Sequence, residues 1–144
     1  MNHIFISCDP AIKTTIEPLI DNLKLCNLNI TANDSNETSM KTKSLIDNSS
    51  IFMCFVTKDY SKDDRCMQEV DYAFQTQKPV ALLMYENVPI KDLDHLGYLI
   101  AGQKVLNVFE DREKQYLNGE GIYFEQIFSK LKETFKNEYE VAQR

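Results

Sequence analysis

The chain has 144 residues, 43% of them hydrophobic and 26% charged, which suits a single globular domain with one sizeable core. Its net charge of −6 argues against a general nucleic-acid binder and simple adhesion to an anionic membrane, since both need lysine and arginine in surplus on one face, but leaves room for a local basic patch. No apolar run approaches the roughly 20 residues of a membrane-spanning helix, and Met1 to Ile6 lacks the basic and long apolar segments of a signal peptide.

Ile4-Phe5-Ile6 predicts a first strand. Ile12, Ile16, Leu19, Ile20 and Leu23 then recur at helical spacing. Pro18 is tolerable only near a helix start, which puts the predicted N-cap at Thr14 or Thr15. Leu28-Asn29-Ile30 reads as a weak second strand. Residues 33–42 are polar and aperiodic, a loop, with a short helix around Met40 to Asp47. Ile51 to Val56 is the strongest strand, apolar on both faces as a central parallel strand must be. A loop over residues 57–64 follows, with Tyr60 as a half-buried anchor, Ser61 capping a turn, and Lys62-Asp63-Asp64-Arg65 as a solvated helix start. Cys66, Val70, Ala73 and Phe74 mark a helix from about Asp64 to Gln75. Pro79 to Met84 is another apolar strand, with proline confined to its first position. Leu93, Leu96, Leu99 and Ile100 predict a helix ending at Gly102, with Tyr98 in core or interface, and Val105 to Val108 is the last strand. Phe124, Ile127, Phe128, Leu131 and Phe135 mark a final amphipathic helix, after which residues 137–144 are expected to fray.

This alternation predicts an α/β three-layer sandwich: a doubly wound, five-stranded parallel sheet with helices on both faces. It forms one domain over residues 1–144, with a core over about 3–136. Ligands in such sheets bind beyond the carboxyl ends of the strands, near the switch in strand order. Ser7-Cys8-Asp9, the 33–42 loop and residues 57–64 are therefore the candidate edges. A dinucleotide fold would carry G-x-G-x-x-G where this chain has Ser7-Cys8-Asp9-Pro10-Ala11, a P-loop is absent, and four glycines cannot build a phosphate cradle. A phosphoacceptor domain would need an acidic pair and a terminal lysine, which Asp9 and Asp59 match only loosely. Cys8, Cys26, Cys54 and Cys66 are scattered without a C-x-x-C pair, and His3 and His95 are the only imidazoles. No metal site is expected from that spacing, and the thiols read as free in a reducing, cytoplasmic compartment.

A set of short motifs fits one family. Phe5-Ile6-Ser7, Ile16-Glu17-Pro18-Leu19, Ser44-Leu45-Ile46-Asp47-Asn48-Ser49, Phe55-Val56-Thr57-Lys58-Asp59-Tyr60-Ser61 and Cys66-Met67-Gln68-Glu69 occur in that order. They resemble the boxes of the Toll/interleukin-1 receptor (TIR) domain family, from about Phe5 to Val108. The resemblance implies a flavodoxin-like sheet, a role in innate-immune or cell-death signalling, and association with other TIR domains or with itself. It also divides the functional expectation in two.

In NAD-cleaving members of the family one glutamate of the helix after the central strand is catalytic, and Glu69 is the matching residue here. One carboxylate suffices for that chemistry. Nicotinamide leaves NAD+ from a ring nitrogen that already carries positive charge, so no general acid has to protonate it. The developing ribosyl cation needs only a nearby anion. NAD+ would be substrate, with no cofactor and no metal. Glu69 stands three residues after Cys66 and four before Ala73, so it lies on the inward stripe of its helix. The plainer alternative is a structural carboxylate in a non-catalytic TIR module that acts by TIR–TIR association. By the same resemblance Cys8, Asp9 and Cys66 would border the substrate, although Asp9 could equally cap the first helix and Cys8 could be a packed thiol. Asp34, Thr38 and Met40 are the candidates from the second loop. That loop departs from the family pattern, having neither a Pro-Gly turn nor an aromatic residue to stack on nicotinamide.

Overall fold

Strands β1 (Ile4–Ser7), β2 (Ile30–Ala32), β3 (Ile51–Val56), β4 (Val80–Met84) and β5 (Val105–Asn107) pair in parallel in the order β2-β1-β3-β4-β5. The structure is a computed structural model that describes residues 3–26, 28–109, 115–119 and 124–129. Between the strands run helices α1 (Glu17–Leu25), α2 (Ser39–Asp47), α3 (Lys58–Lys62), α4 (Asp64–Gln75) and α5 (Asp94–Ile100), with 3-10 turns at Pro10–Ile12, Ile90–Leu93 and Gln115–Asn118. Residues 124–129 are also helical. This is the doubly wound α/β architecture that the alternation of apolar runs predicts, in the flavodoxin-like form that the family resemblance implies.

The pleat sorts the core into two layers. Ile4 and Ile6 of β1, with Ile51, Met53 and Phe55 of β3, pack against Leu19, Ile20 and Leu23 of α1 and Ile127. Phe5, Phe52, Cys54 and Val56 face the other way, onto Ile46 of α2, Tyr60 of α3, Val70 and Ala73 of α4, and Leu96 and Ile100 of α5. Every residue of β1 and β3 is buried, which explains why these strands carry unbroken apolar runs instead of alternation. Phe5 and Phe52 stack across the strand pair with centroids 5.7 Å apart.

Several local expectations are corrected. The first helix begins at Glu17, not after a cap at Thr14 or Thr15. The chain leaving β1 first makes a 3-10 turn capped by Asp9, and Pro18 then confines the α-helix start to its own first turn. Strand β2 lies two residues later than the Leu28 to Ile30 run, because the Leu28 amide still closes the end of α1 on the Leu23 carbonyl at 3.4 Å. The expected 57–64 loop contains helix α3, with Thr57 as its N-cap, and Asp63 caps α4. Ser61 therefore lies inside a helix, where its hydroxyl donates to the Lys58 carbonyl at 2.6 Å. Tyr60 is fully buried instead of half-buried. Tyr98 is 80% exposed, which excludes the core half of its expectation and leaves the interface half. Leu131, Phe135 and residues 137–144 lie outside the described residues.

Gly97 marks a close approach between α5 and the turn before it. A Cβ added there would stand 2.3 Å from the Ile90 carbonyl oxygen, a backbone atom that cannot swing aside. Alanine would gain about 1 kcal/mol in helix propensity, yet the overlap outweighs it. Gly97→Ala is expected to destabilise the fold by about 1–3 kcal/mol, read as a lowered urea midpoint; an unchanged or raised midpoint would contradict the packing described.

Candidate functional site

The carboxyl edge of β1, β2 and β3 gathers polar residues that are nonetheless buried: Ser7, Asp9, Asn33, Thr57 and, from α4, Glu69. They remain out of water because they satisfy one another. Glu69 is 3% exposed. Its Oε1 accepts from the Ser7 hydroxyl at 2.6 Å and from Asn33 Nδ2 at 3.0 Å. The Tyr60 hydroxyl lies 2.7 Å from Ser7 Oγ, and since the Ser7 proton goes to Glu69, Tyr60 is the donor in that pair. Burial raises the Tyr60 phenol well above its ordinary value, which keeps it protonated for this role.

Glu69 Oε2 differs. It is buried and has no hydrogen-bond partner, and Arg65 Nε stands 3.8 Å away as its counter-charge. Burial raises the Glu69 pKa, while the Ser7 and Asn33 hydrogen bonds and the Arg65 charge pull against it without cancelling it. A carboxylate with one oxygen fixed and the other unbonded has a defined orientation and a free acceptor.

Asn33 holds two elements at once. Its Nδ2 also donates to the Cys8 carbonyl at 2.9 Å, and its Oδ1 accepts from the Cys8 amide at 3.4 Å. The Cys66 thiol donates to that same Cys8 carbonyl at 3.4 Å. Cys8, Cys66 and Asn33, with Pro10, Lys13, Ser35, Asp63 and Arg65, line an open cleft of about 470 Å³, solvent at its mouth included. Burial pushes the Cys8 thiol up to about 12 and the Cys66 thiol still higher, so both are neutral at physiological pH and are poor nucleophiles and poor soft-metal ligands. Among the described residues no group of three or more His, Cys, Asp or Glu side chains is arranged to hold a metal ion.

The sequence-derived site residues are thus partly brought together. Cys8, Cys66 and Glu69 share one neighbourhood with Ser7 and Asn33. Asp9 is next to them, but both its oxygens are occupied within the fold, Oδ1 by the Ala11 amide at 2.9 Å and Oδ2 by the Thr57 hydroxyl at 2.6 Å. Asp34 caps its own loop, accepting from the Asn36 amide at 2.9 Å. Thr38 is the N-cap of α2, and Met40 is 83% exposed on that helix. Neither is among the residues that line the pocket beside Glu69, where α2 contributes Ser39, Thr42, Lys43 and Ile46. Arg65, read from sequence as part of a solvated helix start, is instead tied into the site. Its guanidinium donates to the carbonyls of Ser35 and Glu37 and to Thr42 Oγ1. Its spacing of four residues before Glu69 on one helix was the available signal. Ser7 and Asn33 carried a fainter one, Ser7 as the polar residue that ends an apolar run and Asn33 as the residue just after β2.

Fold and site together define a flavodoxin-like α/β domain with a buried carboxylate at the carboxyl edge of its sheet. The family model of the TIR domain matches residues 4–117, and the chain belongs to that family of signalling modules. Among solved structures, the TIR domain of the Toll-related receptor TRR-2 from the lower metazoan Hydra magnipapillata is similar with a TM-score of 0.66 at 14% identity. That match covers 92% of this chain and 99% of that one. A chain of the RPS4 and RRS1 TIR domain heterodimer is similar with a TM-score of 0.66 at 13% identity, covering 92% of this chain and 97% of that one. No curated protein matches the chain. Among the described residues no helix is long and apolar enough to cross a membrane.

The raised pKa of Glu69 has a signed consequence for stability. A carboxyl group whose folded pKa lies above its unfolded one takes up protons on folding, so its stabilising contribution is present at low pH and is lost as pH rises through the folded value. Relative to Glu69→Gln, which does not titrate, the wild type is expected to lose stability as pH rises from about 4 through the raised folded value. Urea unfolding of both proteins at each end of that range measures it; a difference that does not change with pH would refute the assignment.

Proposed function

We propose that this TIR domain cleaves NAD+ at the bond between nicotinamide and ribose, with Glu69 as the catalytic carboxylate, as part of innate-immune or cell-death signalling. The observation that carries the reading is the asymmetry of Glu69: Oε1 is fixed by Ser7 and Asn33, and Oε2 is left without a hydrogen bond. When the C1′–N bond breaks, its electron pair goes to the pyridinium nitrogen and neutral nicotinamide leaves. The ribosyl cation develops charge that a preorganised anion stabilises without reorganising. Water captures the cation, losing a proton to solvent, and gives ADP-ribose; capture by an adenine nitrogen gives a cyclic form. Ser7 and Asn33 are positioning residues in this scheme. The site neighbourhood of Cys8 and Cys66 supplies a cleft beside the carboxylate, and the neutral thiols offer soft, uncharged walls.

A second reading, a non-catalytic module acting through TIR–TIR association, is favoured by one observation: Glu69 is almost wholly out of solvent. The similar TIR heterodimer of RPS4 and RRS1 supports association as a property to test in this chain as well.

Purified protein at high concentration, incubated with NAD+ and followed by chromatography, separates the two. Nicotinamide release is expected, reduced by at least about 100-fold in Glu69→Ala, with folding verified by circular dichroism. Absence of release from the wild type, even when it is crowded or tethered into multimers, would reject catalysis and leave the association module. The pH profile has a defined sign: because the anion does the work, turnover should rise with pH through an apparent pKa above the ordinary carboxylate range and then level off. If neighbouring subunits complete the cleft, turnover per molecule should also increase with protein concentration, whereas strict proportionality of rate to concentration would exclude that assembly.

A further inference from the structure

Arg65 stands on the wall between two cavities. On one side is the cleft lined by Cys8, Lys13, Asn33 and Cys66. On the other is a pocket lined by Thr42, Lys43, Ile46, Gln68, Glu69 and Tyr72. Arg65 lines both. Glu69 is among the residues lining the second and not among those lining the first; the second is the smaller, about 300 Å³ with open solvent included, against about 470 Å³. Between the carboxylate and the roomier cleft stand Asn33, bonded to Oε1, and Arg65, facing Oε2, and both line that cleft.

That side chain is held from several directions. One terminal nitrogen donates to the Ser35 carbonyl at 3.2 Å. The other donates to the Glu37 carbonyl and, at 3.1 Å, to Thr42 Oγ1. Its Nε faces Glu69 Oε2 at 3.8 Å, and neither atom has a hydrogen-bond partner. The planar fork of a guanidinium can meet three acceptors at once, which an ammonium cannot do. The acceptors belong to the segment between β2 and α2 and to the first turns of α2, so the bonds pin that segment down onto α4.

We infer that Arg65 is an autoinhibitory latch: while its guanidinium bridges residues 35–42 to Glu69, the reactive carboxylate is shut off from the open cleft, and release of those carbonyls joins the two cavities into one. The functional meaning of the latch rests on reading Glu69 as the catalytic group; its mechanics do not. In the latched state the Arg65 charge also faces Glu69 Oε2 at 3.8 Å, so a substrate cation that engages that oxygen must displace it.

Solvent access of Glu69 tests the latch without reference to NAD+. The full chain is treated with a water-soluble carbodiimide and an amine, and amide formation at Glu69 is read by peptide mass spectrometry against the exposed Asp21 as internal standard. Arg65→Ala and Arg65→Lys are each expected to raise Glu69 labelling by about tenfold. The lysine variant keeps the charge beside Glu69 and loses only the fork. Thr42→Val, which removes one acceptor and leaves the guanidinium, should give a smaller rise and serves if the Arg65 variants fail to fold. Equal labelling in wild type and folded variants overturns the latch, as does a rise in Arg65→Ala alone, which would assign the effect to charge. NAD+ cleavage assayed on the same proteins separates the two ideas. Opened variants that cleave faster support both, opened variants that stay inert reject the NAD+ reading and keep the latch, and variants that cleave without opening reject the latch.

Discussion

A parallel sheet leaves no face for water. Because β1 and β3 send alternate residues into two apolar layers, helices must cover both sides, and the crossovers that put them there bring all five carboxyl ends to one edge. That edge is where the buried backbone first runs out of strand partners. Polar residues just beyond β1, β2 and β3 close that part of the edge with side chains: Asp9 to Thr57 across β1 and β3, Asn33 to Cys8 across β2 and β1. Glu69 enters this ring from α4 because the inward stripe of that helix, set by Cys66, Val70 and Ala73, carries it there.

Two acids sit in this ring and are treated differently. Asp9 has a donor on each oxygen and serves as mortar between two strand ends and a turn. Glu69 has donors on one oxygen only, and its burial outweighs them and the nearby cation. The distinction is one of supply: the backbone amide and hydroxyl near Asp9 are both free to point at it, whereas the one cation facing Glu69 Oε2 has its terminal nitrogens committed to carbonyls of the 33–42 segment.

How much of this was legible in the sequence depends on range. The architecture was readable because it follows from short apolar runs and their periods, and Ile51 to Val56 declared its central place by being apolar on both faces. Family motifs led to Glu69, and helical spacing put Cys66 on the same stripe. Side-chain pairing was not readable, since the contacts of Ser7 with Glu69 and of Asn33 with Cys8 bridge 62 and 25 positions in the chain. Helix α3 was missed because Lys58-Asp59-Tyr60-Ser61-Lys62 is too short to reveal a period, and only its cap, Thr57, marks it. Arg65 was misread for a related reason: a run of four charged residues looks uniformly solvated until one of them is seen to have carbonyls within reach.

The doubled bond between Asn33 and Cys8 gives the side-chain amide the work of a peptide group. Its oxygen takes the Cys8 N–H and its nitrogen gives to the Cys8 carbonyl, as a neighbouring strand would. The ladder between β1 and β2 is in effect one rung longer than its backbone, with the last rung supplied by a side chain. Asparagine alone among the small polar residues carries a donor and an acceptor at that spacing; an aspartate would leave the Cys8 carbonyl facing an oxygen. The stitched rung also marks a mechanical boundary. Motion of the segment beyond residue 33 meets a fastened hem, so the sheet can stay whole while the chain next to it shifts.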